Sequence, residues 1–394
     1  MFLFVAMASV AAWAGDFVKG ADVSWCTEME ADGQRFRDAD GNDADIFGIV
    51  KSIGMGAVRL RVWVDPVAGG YGPYCNLQDV LVKARRARSH GLDIMIDFHY
   101  SDVFTDPGAQ ATPSQWQGCD LTQLASMVAA HTTAVLQSLK NEGIEPKWVQ
   151  VGNETNNGML WPVGKIDWDK SGADRYASYV ALSNAGYDAV KGVLPEAKVV
   201  VHIANAYNAG NWDGWFFKDF IAAGGKLDMI GLSHYPDYDR WDSTDTDAVS
   251  NSNAAASVAT LSSLYGVPVM ICETGFSNYD AARASAVMRD LLRHMKSQPG
   301  CAGVFYWEPE ADGIWKPDYY NKVGWDAYTM GAFAGGRPTE ALDAFSEADG
   351  SIADVVANQT DAEWFDLTGH RIAKPSAAGI YIRRIGSAAE KVRR

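Results

Sequence analysis

Short apolar runs alternate along most of the chain with longer stretches whose apolar residues recur three and four positions apart. The short runs are Phe17–Ser24, Ala57–Val64, Leu92–His99, Trp148–Asn153, Lys198–Ala204, Met229–His234, Pro268–Glu273 and Ala302–Trp307. Each is rich in Val, Ile or aromatic residues and predicts a strand. Between them, Ala44–Ile53, Leu77–His90, Leu121–Asn141, Asp174–Val193, Trp212–Ala223, Asp247–Tyr265, Ala281–Gln298 and a last piece near Thr339–Phe345 predict helices. Leu121, Leu124, Val128, Val135 and Leu139 form one such stripe, the mark of a core-facing helix. Eight strand–helix repeats predict an α/β protein of the (β/α)8 TIM-barrel type. A doubly wound open sheet is the rival arrangement, but no glycine-rich phosphate loop follows the first strand.

The pattern changes at both ends. Residues 1–14 are apolar and finish in Ala12-Trp13-Ala14, a small-residue cleavage pattern too short to cross a bilayer, so they read as the signal peptide of an exported protein, without a transmembrane span. Residues 15–348 are assigned to the barrel. Residues 349–394 read as a linker and a small β-rich appendage, basic where the barrel is acidic and too short to be stable by size alone.

Composition narrows the function. The 394-residue chain carries a formal charge of −15, which excludes the clustered basic surface that nucleic-acid binding requires. Its 14 tryptophans exceed what core packing needs, leaving some as platforms for the apolar faces of sugar rings. None of the five cysteines falls in a CxxC pair, which argues against zinc. Cys272 and Cys301 lie in predicted buried strands, whereas Cys26, Cys75 and Cys119 read as loop candidates for a disulfide of unassigned pairing.

Two glutamates carry the chemistry. Glu154 closes the run Trp148-Val149-Gln150-Val151-Gly152-Asn153, and Glu273 closes Val267-Pro268-Val269-Met270-Ile271-Cys272. A carboxylate at the exit of a buried strand is costly unless it is used or paired. In a barrel the active site lies at the C-terminal ends of the strands, so two such groups on the fourth and seventh strands suit the acid and nucleophile of a glycosidase. Arg59, Arg61 and Trp63 share a strand face, and Arg61 is the expected counter-charge of Glu273. Asp97 and His99 share another face and read as a polar floor. His202 and His234 are each either a core histidine or a substrate contact, and Tyr235 and Trp307 complete the expected rim. Glu308 and Glu310 read as solvated. Asp38, Asp40 and Asn42 begin like a calcium loop, but Asp43 and Ile49 stand where glycine and glutamate belong, so no metal and no cofactor is expected.

These residues resemble a known family. Gly20-Ala21-Asp22-Val23-Ser24, Val58-Arg59-Leu60-Arg61-Val62-Trp63-Val64-Asp65-Pro66, Asp97-Phe98-His99-Tyr100-Ser101-Asp102, Asp106-Pro107-Gly108, Gln150-Val151-Gly152-Asn153-Glu154, Cys272-Glu273-Thr274-Gly275-Phe276, Phe305-Tyr306-Trp307-Glu308-Pro309 and Gly336-Arg337-Pro338-Thr339 are similar to glycoside hydrolase family 53, the arabinogalactan endo-β-1,4-galactanases. The resemblance implies a retaining enzyme acting on the galactan side chains of pectin, and a monomer is expected. It implies Glu154 as acid/base, Glu273 as nucleophile, Asn153 on the sugar 2-hydroxyl and Trp307 as a stacking floor. His234-Tyr235-Pro236 departs from the family's Tyr-Tyr-Pro, and Glu310-Ala311-Asp312-Gly313 departs from its aromatic continuation, so a rim subsite is expected to differ. The short Ser277-Asn278-Tyr279-Asp280 segment leaves no room for the calcium loop of some bacterial members. The C-terminal segment resembles, in short form, the sorting domains of the type IX secretion pathway. The rival functions are a barrel β-glycanase acting on mannan or xylan and a sugar-binding barrel without catalysis.

Overall fold

The computed structural model describes residues 16–239, 244–277, 280–311, 315, 317 and 330–347, and the backbone of 363–365, 371–372, 380–385 and 388–393. The expected leader at residues 1–14 lies outside them. Eight parallel strands close into a barrel in sequence order: β1 (Val18–Asp22), β2 (Ala57–Val62), β3 (Asp93–Phe98), β4 (Trp148–Val151), β5 (Lys198–Ile203), β6 (Met229–His234), β7 (Val269–Thr274) and β8 (Cys301–Trp307), with β8 pairing back onto β1. The open-sheet alternative is thereby excluded.

Every predicted helical stretch contains a helix, with local differences. The connection from β1 to β2 holds α1 (Cys26–Ala31), at a segment read from sequence as loop, and α2 (Ile46–Ser52); α3 (Leu77–Ser89), α4 (Leu121–Asn141) and α5 (Ala177–Val193) follow β2, β3 and β4. After β5 the chain forms α6 (Ala206–Ala209) and α7 (Asn211–Ala222), the latter opening with three left-handed residues, Trp212, Asp213 and Gly214. Then come α8 (Asp247–Tyr265), α9 (Ala281–Lys296) and α10 (Asp343–Ser346). The long helices are set by local chemistry. Asp120 and Gln123 form a reciprocal capping box on α4, and Thr246 caps α8, which stops at left-handed Gly266.

Two apolar layers place the site. One lies between strands and helices. The other fills the lower barrel with Ala57, Met95, Trp148, Val200, Met229, Met270, Cys272, Ala302 and Phe305. Strand side chains alternate in direction, so two residues further up the same strands the interior becomes polar: Arg59, Asp97, Gln150 and His202, all buried. A short hairpin, β9 (Phe333–Ala334) with β10 (Arg337–Pro338), follows the barrel strands.

The chain divides into two compact units, Met1–Ser346 and Glu347–Arg394. The second is a four-stranded antiparallel sheet of β11 (Glu363–Phe365), β12 (Arg371–Ile372), β13 (Ile380–Ile385) and β14 (Ala388–Arg393), in the order β12-β11-β13-β14.

Candidate active site

The strand ends bring Glu154 and Glu273 to one barrel mouth through two departures from regular strand geometry. After β4, Gly152 takes a φ of +86° and Glu154 one of +46°. The first is easy for glycine; the second is costly for glutamate and marks a position where the backbone is held to aim a side chain. On β7, register with β6 runs Leu232 to Ile271 and then Ser233 to Glu273, so Cys272 is an extra residue. This bulge reverses the alternation. Met270 and Cys272 point into the lower barrel, and Glu273 also reaches inward instead of facing the helices.

Arg59 is the hub beneath the pair. Its guanidinium lies 2.9 Å from Glu273, 2.9 Å from Asp97 and 2.7 Å from Asp22, and it donates to Gln150 and, at 2.9 Å, to Asn153 Oδ1. Three carboxylates hold the guanidinium charge in place despite burial. Burial raises the Asp97 carboxyl, but Arg59 and His99 prevail and bring it down to about 2. His99 places Nε2 3.0 Å from Asp97 and accepts the Thr105 N–H on Nδ1. Burial lowers its own pKa, so the ring is neutral.

The two glutamates differ electrostatically. Burial pushes the Glu154 carboxyl well up, and the facing Glu273 carboxylate pushes it further. Burial raises Glu273 too, but Arg59 opposes that, and the Tyr235 hydroxyl donates to its Oε2 at 3.0 Å. The pair therefore titrates as a unit, with the proton on Glu154 and the charge on Glu273. Glu154 and Glu273 keep 7% and 6% of their surface exposed, whereas Asp22, Asp97 and His202 are at 0%; a ligand reaches the first two and not the others.

Glu154 is oriented by a relay that sequence reading missed. Ser233 hydrogen-bonds its carboxylate, and His202 Nε2 lies 2.9 Å from the Ser233 hydroxyl. His202 Nδ1 receives the Gln150 amide at 3.1 Å and the Glu154 N–H at 3.3 Å, so the proton of this neutral ring sits on Nε2. The signal for Ser233 was its phase, in step with inward-facing Met229 and Gly231. Asn153 donates to the Thr105 carbonyl at 2.7 Å. Gln110, also missed, donates to the carbonyls of Asn153 and Glu154 and braces that turn. Trp307 is 8% exposed and packs edge-on against Trp25 at 5.2 Å.

Four expectations are corrected. The counter-charge of Glu273 is Arg59, because Arg61 sits two residues higher and pairs with Glu308 at 2.9 Å. His234 is not in the cleft: it is fully buried, out of phase with Ser233, and faces Asp239 at 3.3 Å and Asn251 at 3.0 Å. Glu308 and Glu310 are buried rather than solvated. Cys26, Cys75 and Cys119 are free thiols, as are Cys272 and Cys301. Among the described residues, no helix is long and apolar enough to cross a membrane.

Residues 18–345 match the sequence profile of glycosyl hydrolase family 53. The chain belongs to this family. An arabinogalactan endo-β-1,4-galactanase from Cellvibrio japonicus is 32% identical over 320 residues, covering 74% of this chain and 80% of the relative. Among solved structures, the family 53 catalytic domain from Ignisphaera aggregans superposes with a TM-score of 0.72 at 26% identity, covering 86% of this chain and 97% of that one. A fungal β-1,4-galactanase gives a TM-score of 0.69 at 27% identity, covering 84% and 98%. This family 53 chain is thus a glycosidase built on a TIM barrel.

Proposed function

We propose that the chain is an endo-β-1,4-galactanase that cleaves the galactan of pectin side chains with retention of configuration. Glu273 attacks the anomeric carbon while Glu154 protonates the departing oxygen. Glu154 then takes a proton from water, which releases the sugar from Glu273. The observation that carries this reading is the unequal environment of the two facing carboxyls: Arg59 stabilises charge at Glu273, and that charge keeps the proton on Glu154. Once Glu273 is esterified its charge is gone, the push on Glu154 falls, and the same group becomes a base.

The remaining roles follow from position. Tyr235 orients the nucleophile, and Trp307 offers its indole as the floor under the sugar. Asn153 commits one amide hydrogen to Thr105 and keeps a second for the 2-hydroxyl. Asp97, His99 and Arg59 fix the floor, and Ser233 with His202 fixes the acid. Arg61 and His234 act behind the cleft. The substrate is a neutral polysaccharide, and export with a leader at residues 1–14 remains the expected localisation.

The test is incubation of the purified chain with linear β-1,4-galactan, mannan and xylan. Shortening of galactan alone, with the β-anomer formed first by proton NMR, supports the reading; the α-anomer, or cleavage of mannan or xylan in place of galactan, rejects it.

A further inference from the structure

Glu308 and Glu310 stand outside the chemistry assigned above, yet both are buried at the end of β8. Glu308 follows Trp307 directly and is held at a φ of +44°, a costly conformation for glutamate. Its two oxygens are in use: Oε1 accepts from Arg61 at 2.9 Å, and Oε2 accepts the Trp25 N–H at 3.1 Å. Its own N–H donates to the Asp22 carbonyl at 2.9 Å. Glu310 is 0% exposed, and no donor from the other described residues reaches either of its oxygens. Among the described residues, the charged or titratable groups that face the pair are Asp22 of β1, Cys26 of α1, Arg61 of β2 and Cys75 ahead of α3.

Among the described residues this inventory holds one cation, Arg61, for the two glutamates. Asp22 is already committed to Arg59. If Glu308 and Glu310 were both ionised, one buried negative charge would face another with no cation of its own among the described residues, which is strongly unfavourable. A proton on Glu310 removes the conflict, because its O–H then has an acceptor in Glu308. The direction of the shifts agrees: burial and Asp22 lift Glu308 to about 7 in spite of Arg61, and burial and Glu308 push Glu310 well up.

We infer that Glu310 is a neutral carboxylic acid donating to Glu308, and that this proton-sharing pair with Arg61 is a strut that positions the aromatic wall of the sugar cleft. The strut touches the buried aromatic side chains that back this wall. Glu308 holds the Trp25 backbone, and the Trp25 ring packs at 5.2 Å on Trp307 and at 5.8 Å on Trp315. Arg61 lies 4.3 Å from the Phe104 ring centre and 4.8 Å from that of Trp63. Arg59 below serves the charge of the nucleophile, and Arg61 above serves the shape of the cleft. Glu310 is a positioning residue, acting on ligand binding through Trp25 and Trp307. Its role in sugar binding rests on the galactanase reading; its protonation does not.

Two experiments test the strut on the full chain. In steady-state kinetics with a soluble β-1,4-galacto-oligosaccharide, Glu310→Ala should raise KM about tenfold with kcat within about twofold, the loss of one hydrogen bond to a charged group. Glu310→Gln, which keeps an N–H for Glu308, should restore KM. An unchanged KM in Glu310→Ala, or equal damage in Glu310→Gln, overturns the positioning role. Infrared difference spectroscopy at neutral pH reads the proton without substrate. The wild type should show a protonated-carboxyl carbonyl band that Glu310→Gln lacks, and identical spectra overturn the inference even if Glu310→Ala fails to fold. Absence of galactan cleavage by the wild type would instead reject the galactanase reading.

Discussion

Arg59 lies 2.9 Å from Glu273, and this contact separates the roles of two otherwise similar carboxyl groups. Both glutamates are buried and both are raised by burial, but among the described residues only Glu273 has a guanidinium beside it. Replacing Arg59 with Met should raise the pKa of Glu273, because an opposite charge that favours its ionised form is gone. The acidic limb of kcat/KM should move to higher pH and activity at its optimum should fall at least about a hundredfold. Asp22 and Asp97 would lose their shared partner, so stability should fall by about 3–5 kcal/mol in denaturant titrations. Arg59→Lys, which keeps the charge but not the fork, should fall between the two.

Glu154→Gln should slow natural galactan by about 10²–10⁴-fold, the range of general-acid assistance. An aryl β-galactobioside with a good leaving group needs little protonation and should lose far less. Equal losses on the two substrates would remove Glu154 as the acid.

Histidine burial makes the fold acid-sensitive. His131 of α4 packs among Phe98, Tyr100 and Trp116, its Nε2 meets no hydrogen-bond partner, and burial lowers its pKa from 6.5 to about 4. Between those values the unfolded chain binds a proton that the native chain does not, so stability present above pH 6.5 is lost as pH falls toward 4, by about 3 kcal/mol at most. The melting temperature should fall across this window. His131→Leu should flatten that part of the profile; an unaltered slope would assign the acid loss to other groups.

The thiols give a simple count. Cys26, Cys75, Cys272 and Cys301 are buried and Cys119 is partly exposed, with no disulfide among them. A thiol reagent should modify Cys119 alone in the native protein, and all five after unfolding without reductant. Three reactive thiols in the unfolded, unreduced chain would establish a disulfide.

The barrel was legible because its strands and helices differ in period, and both glutamates were legible as polar ends of apolar runs. Strand phase held more. In β6, Met229, Gly231 and Ser233 share one phase, which places Ser233 inside and His234 outside. The choice of Arg59 over Arg61 was not legible, since both share a face and only height in the barrel decides. Nor was the inward turn of Glu273, which depends on the extra residue Cys272 between two pairings of β6 and β7. The burial of Glu308 and Glu310 was hidden because two acidic residues after a strand ordinarily mark a solvated turn, and Arg61, the partner of Glu308, lies about 250 residues earlier in the chain.

Nucleophile loss makes a further case. Glu273→Ala should reduce turnover by at least about 10⁴-fold with the fold retained by circular dichroism, and oligosaccharide binding should persist because the cleft walls are intact. Added azide should restore turnover by occupying the vacated position, giving an α-linked galactosyl azide.

The most direct measurement is covalent trapping. A 2-deoxy-2-fluoro-β-galactobiosyl donor with a good leaving group forms the glycosyl-enzyme but slows its hydrolysis, and the labelled peptide can be located by mass spectrometry. A single adduct on Glu273 is the expected result, formed slowly in Glu154→Gln unless the leaving group is fully activated. An adduct on any other residue, or release of the α-anomer without an adduct, would contradict it.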